Sequence, residues 1–184
     1  MKFVIASDLH GAAPAVRALV ERIDRETPDR VLLLGDLLYH GPRNDLPEGY
    51  APKEVLAALN GIAERILAVR GNCDAEVDQM VLDFPCMADY VQIVDDAGRT
   101  LFLTHGHVFG AGFPHSSDEL PPLPENAAVL FGHTHVKVNE PALNRPSVWA
   151  FNPGSVSLPK DGSRSCGVYD STHPLDQAFR HVML

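Results

Sequence analysis

Residues 2–11 read KFVIASDLHG: an apolar run with the length of a buried strand, cut off by Asp8 and His10 with Gly11 directly behind. Pro14 comes next, a residue suited to the first turn of a helix. Val16, Leu19, Val20 and Ile23 then recur at the spacing of one apolar helical face. RVLLLG at 30–35 is a second buried strand. After the polar, proline-rich stretch 39–52, a short helix with Val55, Leu56 and Leu59 leads to a third strand at Ile66–Val69. Strand, helix, strand, helix, strand in this order predicts a parallel sheet with helices packed against it.

The second half has another grain. YVQIV (90–94), the turn DDAG and RTLFLT (99–104) predict a β-hairpin. AAVLFG, SVWAF, CGVYD and AFRHVML add strands with little helix between them, and the prolines at 121, 122 and 124 mark a surface loop. No repeat or linker divides the chain. The expectation is one α/β domain over 1–184, with mixed sheets covered by helices on their outer faces.

A chain of 184 residues is long enough to bury a real core in one domain. Its net charge of −9 argues against stable binding to nucleic acid or to an anionic membrane, where phosphate contacts need Lys and Arg. Bound cations would offset part of that charge. No apolar run approaches the roughly 18 residues of a membrane span, and the few apolar residues before Asp8 are too short for a signal peptide. Cys73, Cys86 and Cys166 show no CxxC spacing and cannot complete a disulfide framework. Reduced thiols in the cytoplasm are the expectation.

The residues that terminate the strands carry the chemistry. KFVIAS ends on Asp8 and His10, RVLLLG on Asp36, and ILAVRG on Asn72. TLFLT ends on His105, and AVLFG on His133 and His135. One such ending is an ordinary polar turn; five in one chain are not well explained by turn composition. In a largely parallel sheet these ends converge on one edge, where open α/β sheets place their sites. Two aspartates, an asparagine and four histidines make a mixed oxygen and nitrogen donor set, suited to Mn²⁺, Fe, Zn²⁺ or Co²⁺ rather than Ca²⁺. Seven donors exceed one tetrahedral ion but fit two ions about 3.5–4 Å apart that share a bridging carboxylate.

DxH at Asp8–His10, GD at Gly35–Asp36, GNxD at Gly71–Asp74, HGH at His105–His107 and GHTH at Gly132–His135 together resemble the calcineurin-like metallophosphoesterases. Chain length, the loop HGPRNDLPEGY, GNCD and FNPGSVSLPK bring the likeness nearest to the small bacterial phosphodiesterases of the YfcE type. The resemblance implies a four-layer αββα sandwich of two mixed sheets flanked by helices. It also implies a dinuclear site, usually active with Mn²⁺, with Fe, Zn, Ni or Co as other candidates. By motif, Asp8, His10 and His135 hold one metal, and Asn72, His105 and His133 the other. Asp36 bridges them, and a metal-bridging hydroxide attacks phosphorus.

Around that set stand residues with two readings each. Arg70 precedes GN, where relatives place a phosphate-contacting arginine; its alternative is a surface ion pair. His107 either serves the leaving group or a ligand, or makes a supporting hydrogen bond. His40 and Arg43 lie on the loop after Asp36 and touch substrate, unless that loop serves a subunit contact in a homo-oligomer. Asn152–Ser155 reads as a turn, which the resemblance places near the site. His115, His173 and His181 fit no motif and are expected on the surface or in packing. Many relatives carry His, as the acid for the leaving group, where this chain has Cys73; Asp74 is the adjacent supporting acid. A thiol near its reference pKa of about 8.5 is a poor acid at neutral pH, which favours esters whose leaving groups need little protonation.

The expected activity is a metal-dependent phosphodiesterase acting on a small phosphate ester. The alternatives are a phosphomonoesterase with the same site, and an interaction scaffold like the retromer subunit of this fold. No nucleotide-binding Gly-Lys loop, no GxSxG elbow and no phosphate cradle around Cys73 supports another catalytic class.

Overall fold

The computed structural model describes residues 1–184. Along the first half run β1 (Lys2–Ala6), α1 (Ala13–Glu26), β2 (Arg30–Leu33), α2 (Pro52–Asn60), β3 (Ile66–Ala68) and the single turn α3 (Glu76–Gln79). Then come β4 (Tyr90–Val94), β5 (Thr100–Thr104), β6 (Ala128–Leu130), β7 (Lys137–Ala142), β8 (Arg145–Pro153), β9 (Ser165–Asp170) and β10 (Phe179–Met183). They form two mixed five-stranded sheets, ordered β10-β9-β1-β2-β3 and β4-β5-β6-β8-β7. β1, β2 and β3 are parallel, as are β5, β6 and β8. β4–β5, β7–β8 and β9–β10 are antiparallel.

Period-two side chains explain the layers. On β1, Phe3 and Ile5 face the second sheet while Val4 and Ala6 face the helices; along β2 and the residue that follows it, Leu32 and Leu34 alternate in the same way with Val31 and Leu33. Leu101, Leu103, Leu130 and Phe151 of the second sheet close the core between the sheets. Val16, Leu19 and Ile23 of α1 and Val55 and Leu59 of α2 cover the outer face of the first sheet. Truncating such a buried side chain to alanine costs about 2–5 kcal/mol. Over the outer face of the second sheet, Phe102, Val129, Phe131 and Ala150 pack beneath Ala111 and Leu123 of the connection between β5 and β6.

β7 escaped the sequence reading. KVNEPA has no apolar alternation and contains proline. It is an edge strand, and the register slips at Pro141/Ala142, where a missing N–H does least harm. No helix is long and apolar enough to cross a membrane.

Candidate metal centre

The parallel strands of both sheets end at one edge. Loops there are tied strand to strand: Asp8 N–H donates to the Gly35 carbonyl (3.1 Å), and the Leu9 and His10 N–H groups donate to that of Asp36 (2.9 Å each). Five of the seven expected ligands, Asp8, His10, Asp36, His133 and His135, have left-handed backbones with φ between 46° and 65°. Each such non-glycine residue costs about 1 kcal/mol or more, so the surrounding contacts must enforce it. Two of these contacts come from the link between β8 and β9, where the Ser155 and Ser157 hydroxyls both donate to the Asp8 carbonyl (2.9 and 2.8 Å). Gly71 packs directly on Asp36; a Cβ there would overlap the aspartate's backbone nitrogen and Oδ1.

Three histidines are set in one tautomer. His10 Nδ1 meets the Tyr39 carbonyl (2.9 Å), His105 Nδ1 that of Leu34 (2.6 Å) and His135 Nδ1 that of Leu158 (2.7 Å). A carbonyl only accepts, so Nδ1 carries the proton and Nε2 turns a lone pair inward, the usual arrangement of metal-binding imidazoles. His10 Nε2 lies 3.3 Å from His135 Nε2, and Asp8 Oδ1 lies 3.2 Å from His135 and 3.8 Å from His10. That carboxylate oxygen is buried without a hydrogen-bond partner. Asp8 Oδ1 and the Nε2 atoms of His10 and His135 converge closely enough for a cation to fit among them.

A second group adjoins it. His105 Nε2 stands 3.1 Å from Asn72 Oδ1, 3.4 Å from Asp36 Oδ2 and 4.0 Å from Asp8 Oδ1. Asp36 Oδ2 is also 3.6 Å from His10 Nε2, so this one oxygen lies between the two groups. Asp8–His10–His135 and Asp8–Asp36–His105 are each compact enough to hold an ion, which makes the site dinuclear. His133 sits at the margin: its N–H donates to Asp8 Oδ2 (3.1 Å), and its ring packs 5.1 Å from that of His105.

The electrostatics agree with the geometry. Burial alone would raise the Asp8 carboxyl, but His135, then His105 and His10, outweigh it and hold it well below the usual carboxylate range. Burial would lower His105, yet Asp36 and then Asp8 lift it to about 9. The carboxylates thus draw positive charge onto the nearest base. His133 and His107, pushed down to about 4 by burial and by His105, are neutral imidazoles at neutral pH.

Cys73 Sγ lies within 4.8 Å of a His10 ring nitrogen and an Asp36 carboxylate oxygen, and the Cys73 N–H donates to Asp36 Oδ1 (2.8 Å). Burial, then Asp36, drives its thiol far above the usual range, so no thiolate nucleophile forms there. Asp74 does not orient it. One Asp74 oxygen accepts from Asp36 and Gly71 N–H (2.8 and 2.7 Å) and the other from Leu37 N–H (2.8 Å). Both oxygens are spent clamping the β2 and β3 loops together.

A cavity of about 370 Å³ opens over the ligands, with Arg43, Asn44, Cys73, His115 and Lys160 among its walls. Arg43 lines this cavity, whereas the His40 ring is held against Tyr39 and Tyr50, at 4.6 and 5.3 Å, and does not. Arg70 takes the alternative reading, donating through Nε and Nη2 to Asp89 Oδ1 (3.0 and 2.5 Å) away from the cavity wall. His107 lies 5.3 Å ring to ring from His105 and does not line the cavity. Asn152 supports GHTH, donating to the Gly132 carbonyl and to Thr134 Oγ1. His181 packs on Phe151, whereas His115, expected only on the surface or in packing, is exposed and also walls the cavity. Lys160 was missed, although it ends the FNPGSVSLPK stretch that carried part of the resemblance.

The calcineurin-like phosphoesterase superfamily domain matches residues 1–173. The chain is 47% identical over 172 residues to phosphodiesterase YfcE of Escherichia coli K12, covering 93% of this chain and 88% of that protein; the O157:H7 protein of that name matches equally. The structure of the E. coli phosphoesterase YfcE superposes with a TM-score of 0.86 at 45% identity, over 99% of this chain and 98% of that one. An archaeal phosphodiesterase matches over the full length of both chains with a TM-score of 0.65 at 22% identity, a likeness of fold. Ligand motifs, two-sheet architecture and these likenesses agree, and the chain belongs to the calcineurin-like phosphoesterase superfamily.

Proposed function

We propose that residues 1–184 act as one domain, a metal-dependent phosphodiesterase working at the edge where the two sheets meet. The observation that carries this reading is the buried meeting of Asp8 Oδ1, His10 Nε2 and His135 Nε2 beside the Asp36–His105–Asn72 group. The likeness to phosphodiesterase YfcE supports the diester substrate. Asp8, His10 and His135 would hold one ion, and Asn72, His105 and His133 the other, with Asp36 between them. Mn²⁺ is the leading candidate for both, with Fe, Zn, Ni and Co suited to the same donors. When bound, two such ions supply Lewis acidity to the phosphoryl oxygens and a nucleophile from water at neutral pH.

The chain's own residues do the rest. The locked imidazole tautomers keep three donor atoms pointed inward without reorganisation. Arg43 faces the cavity, where its guanidinium fork is available to an anionic part of the substrate. His107 is neutral near pH 7, so it is no general acid there, and Cys73 keeps its proton. The leaving group therefore departs with little help, and activated esters are the best substrates. Three unpaired cysteines support a cytoplasmic location.

Purified protein assayed on activated phosphodiesters with each of these metals tests the reading, with phosphomonoesters run alongside. Turnover of the diesters ahead of the monoesters is expected. Inactivity with every metal would overturn the enzyme and leave an interaction scaffold.

A further inference from the structure

The cavity over the ligands has an unusual wall. A single apolar residue lines it, and no Phe, Tyr or Trp is present to stack a nucleobase. Its cations are Arg43 from the loop after β2 and Lys160 from the link between β8 and β9, and His115 from the connection between β5 and β6 adds a third nitrogen base. Elsewhere Arg17 pairs with Glu54, Arg70 with Asp89, Lys137 with Asp161, Arg164 with Glu48 and Arg180 with Glu26, while Arg30, Lys53, Arg65, Arg99 and Arg145 have no carboxylate partner but lie outside this cavity. Arg43 and Lys160 have no carboxylate partner, in a chain whose acids outnumber Lys and Arg by 24 to 15. The acid next to Lys160 is already taken, since Asp161 accepts from the Lys137 ammonium (2.6 Å) and N–H (2.7 Å). Lys160 is also fixed beside the ligands, because its N–H donates to the His135 carbonyl (3.0 Å).

A phosphodiester carries one negative charge, at the scissile phosphorus, and that charge is met at the ligand cluster. Two cations on the wall without carboxylate partners are surplus to it. We propose that the cavity selects small phosphodiesters whose retained arm bears a second anionic group, a carboxylate or a phosphate, held by Arg43 and Lys160 with His115 hydrogen-bonding it. The inference rests on the phosphodiesterase reading and deepens it: the preferred substrate is compact, polar and doubly anionic, not a nucleotide recognised by its base.

A series of p-nitrophenyl phosphodiesters with one leaving group and different arms tests it. The arms are methyl, 2-carboxyethyl, 2-phosphoethyl, choline and thymidine. Both anionic arms should raise kcat/KM about ten-fold over methyl, the order between them naming the anion. Choline should fall below methyl, and thymidine should gain nothing. The anionic preference should shrink several-fold in Lys160→Ala and in Arg43→Ala, disappear in the double variant, and weaken in high salt. Calorimetric titration with methyl 2-carboxyethyl phosphate and with dimethyl phosphate gives a second readout that needs no turnover, the former binding about ten-fold more tightly. Equal kcat/KM for methyl and anionic arms, or a preference surviving in the double variant, overturns the inference while the phosphodiesterase stands. If none of these esters is hydrolysed, the phosphodiesterase reading fails instead, and the titration alone decides whether Arg43 and Lys160 bind an anion.

Discussion

The first sheet sends Asp8, His10, Asp36 and Asn72 to the shared edge, and the second sends His105, His133 and His135. Oxygen donors therefore come from the first sheet alone, and the second offers only imidazoles. The two sets also differ in what holds them. His10 and Asp36 are fixed by hydrogen bonds within the loops of their own sheet, and Asp8 by these and by the Ser155 and Ser157 hydroxyls of the β8–β9 link. His105 is oriented by the Leu34 carbonyl and His133 by Asp8 Oδ2, both belonging to the opposite sheet. Neither sheet contains a site; docking of the sheets assembles it, so ion binding is coupled to packing of the sandwich.

The hardest blow to that arrangement is Asp36→Asn, which removes the one oxygen lying between the two imidazole groups. Activity should fall by more than about a hundred-fold, and elemental analysis should find fewer ions per chain; unchanged turnover would remove Asp36 from the centre. Next in size is chelation of the ions. At an ion concentration about 100 times Kd, binding contributes about 2.7 kcal/mol, so the stripped protein should melt about 5–10 °C lower. An unmoved Tm would mean that the sheets dock without help from the ions.

Cys73→His acts on the chemistry but not on the docking. An imidazole at the leaving-group side should improve esters of poor leaving groups about ten-fold and activated esters far less. A uniform effect across a leaving-group series would show that Cys73 does not limit protonation. The smallest expected effect lies far from the edge. Burial alone would raise the Glu26 carboxyl, but hydrogen bonds from Lys2 and Arg180 outweigh it and hold it below its usual range. Its stabilisation is complete above the unfolded pKa of about 4.3 and is lost as pH falls through the lower folded value. Glu26→Gln should cost about 1 kcal/mol at pH 7 and nothing at a pH low enough to protonate both states. Denaturant melts at the two pH values check this, with phosphodiesterase turnover as the control that should not move.

Much of the donor set was legible because it obeys a rule of position: a buried strand, then a metal-capable residue, with glycine alongside. The parallel β1-β2-β3 part of the first sheet was legible too, since apolar runs alternating with amphipathic helices leave few topologies. What stayed hidden was set by distance in space. No feature of the residues flanking Arg70 distinguishes a phosphate contact from its bond to Asp89. His40 and Arg43 share one loop, yet the tyrosines at 39 and 50 draw one ring inward and leave the other side chain facing the cavity. β7 carries no alternation because an edge strand buries little of either face. The left-handed backbones at five ligands contradict local preference, which is where sequence reasoning fails by construction.

The three locked imidazoles have one more consequence. Protons on His10, His105 and His135 Nδ1 are each hydrogen-bonded to a carbonyl and shielded from bulk water to different degrees. Such protons exchange slowly and resonate far from the amide envelope in a proton spectrum. They form a built-in set of reporters on Leu34, Tyr39 and Leu158, one for each segment that must be seated. The readiness of the edge can thus be followed by magnetic resonance before any ion or ester is added, and a single unseated loop would silence one signal and leave the other two.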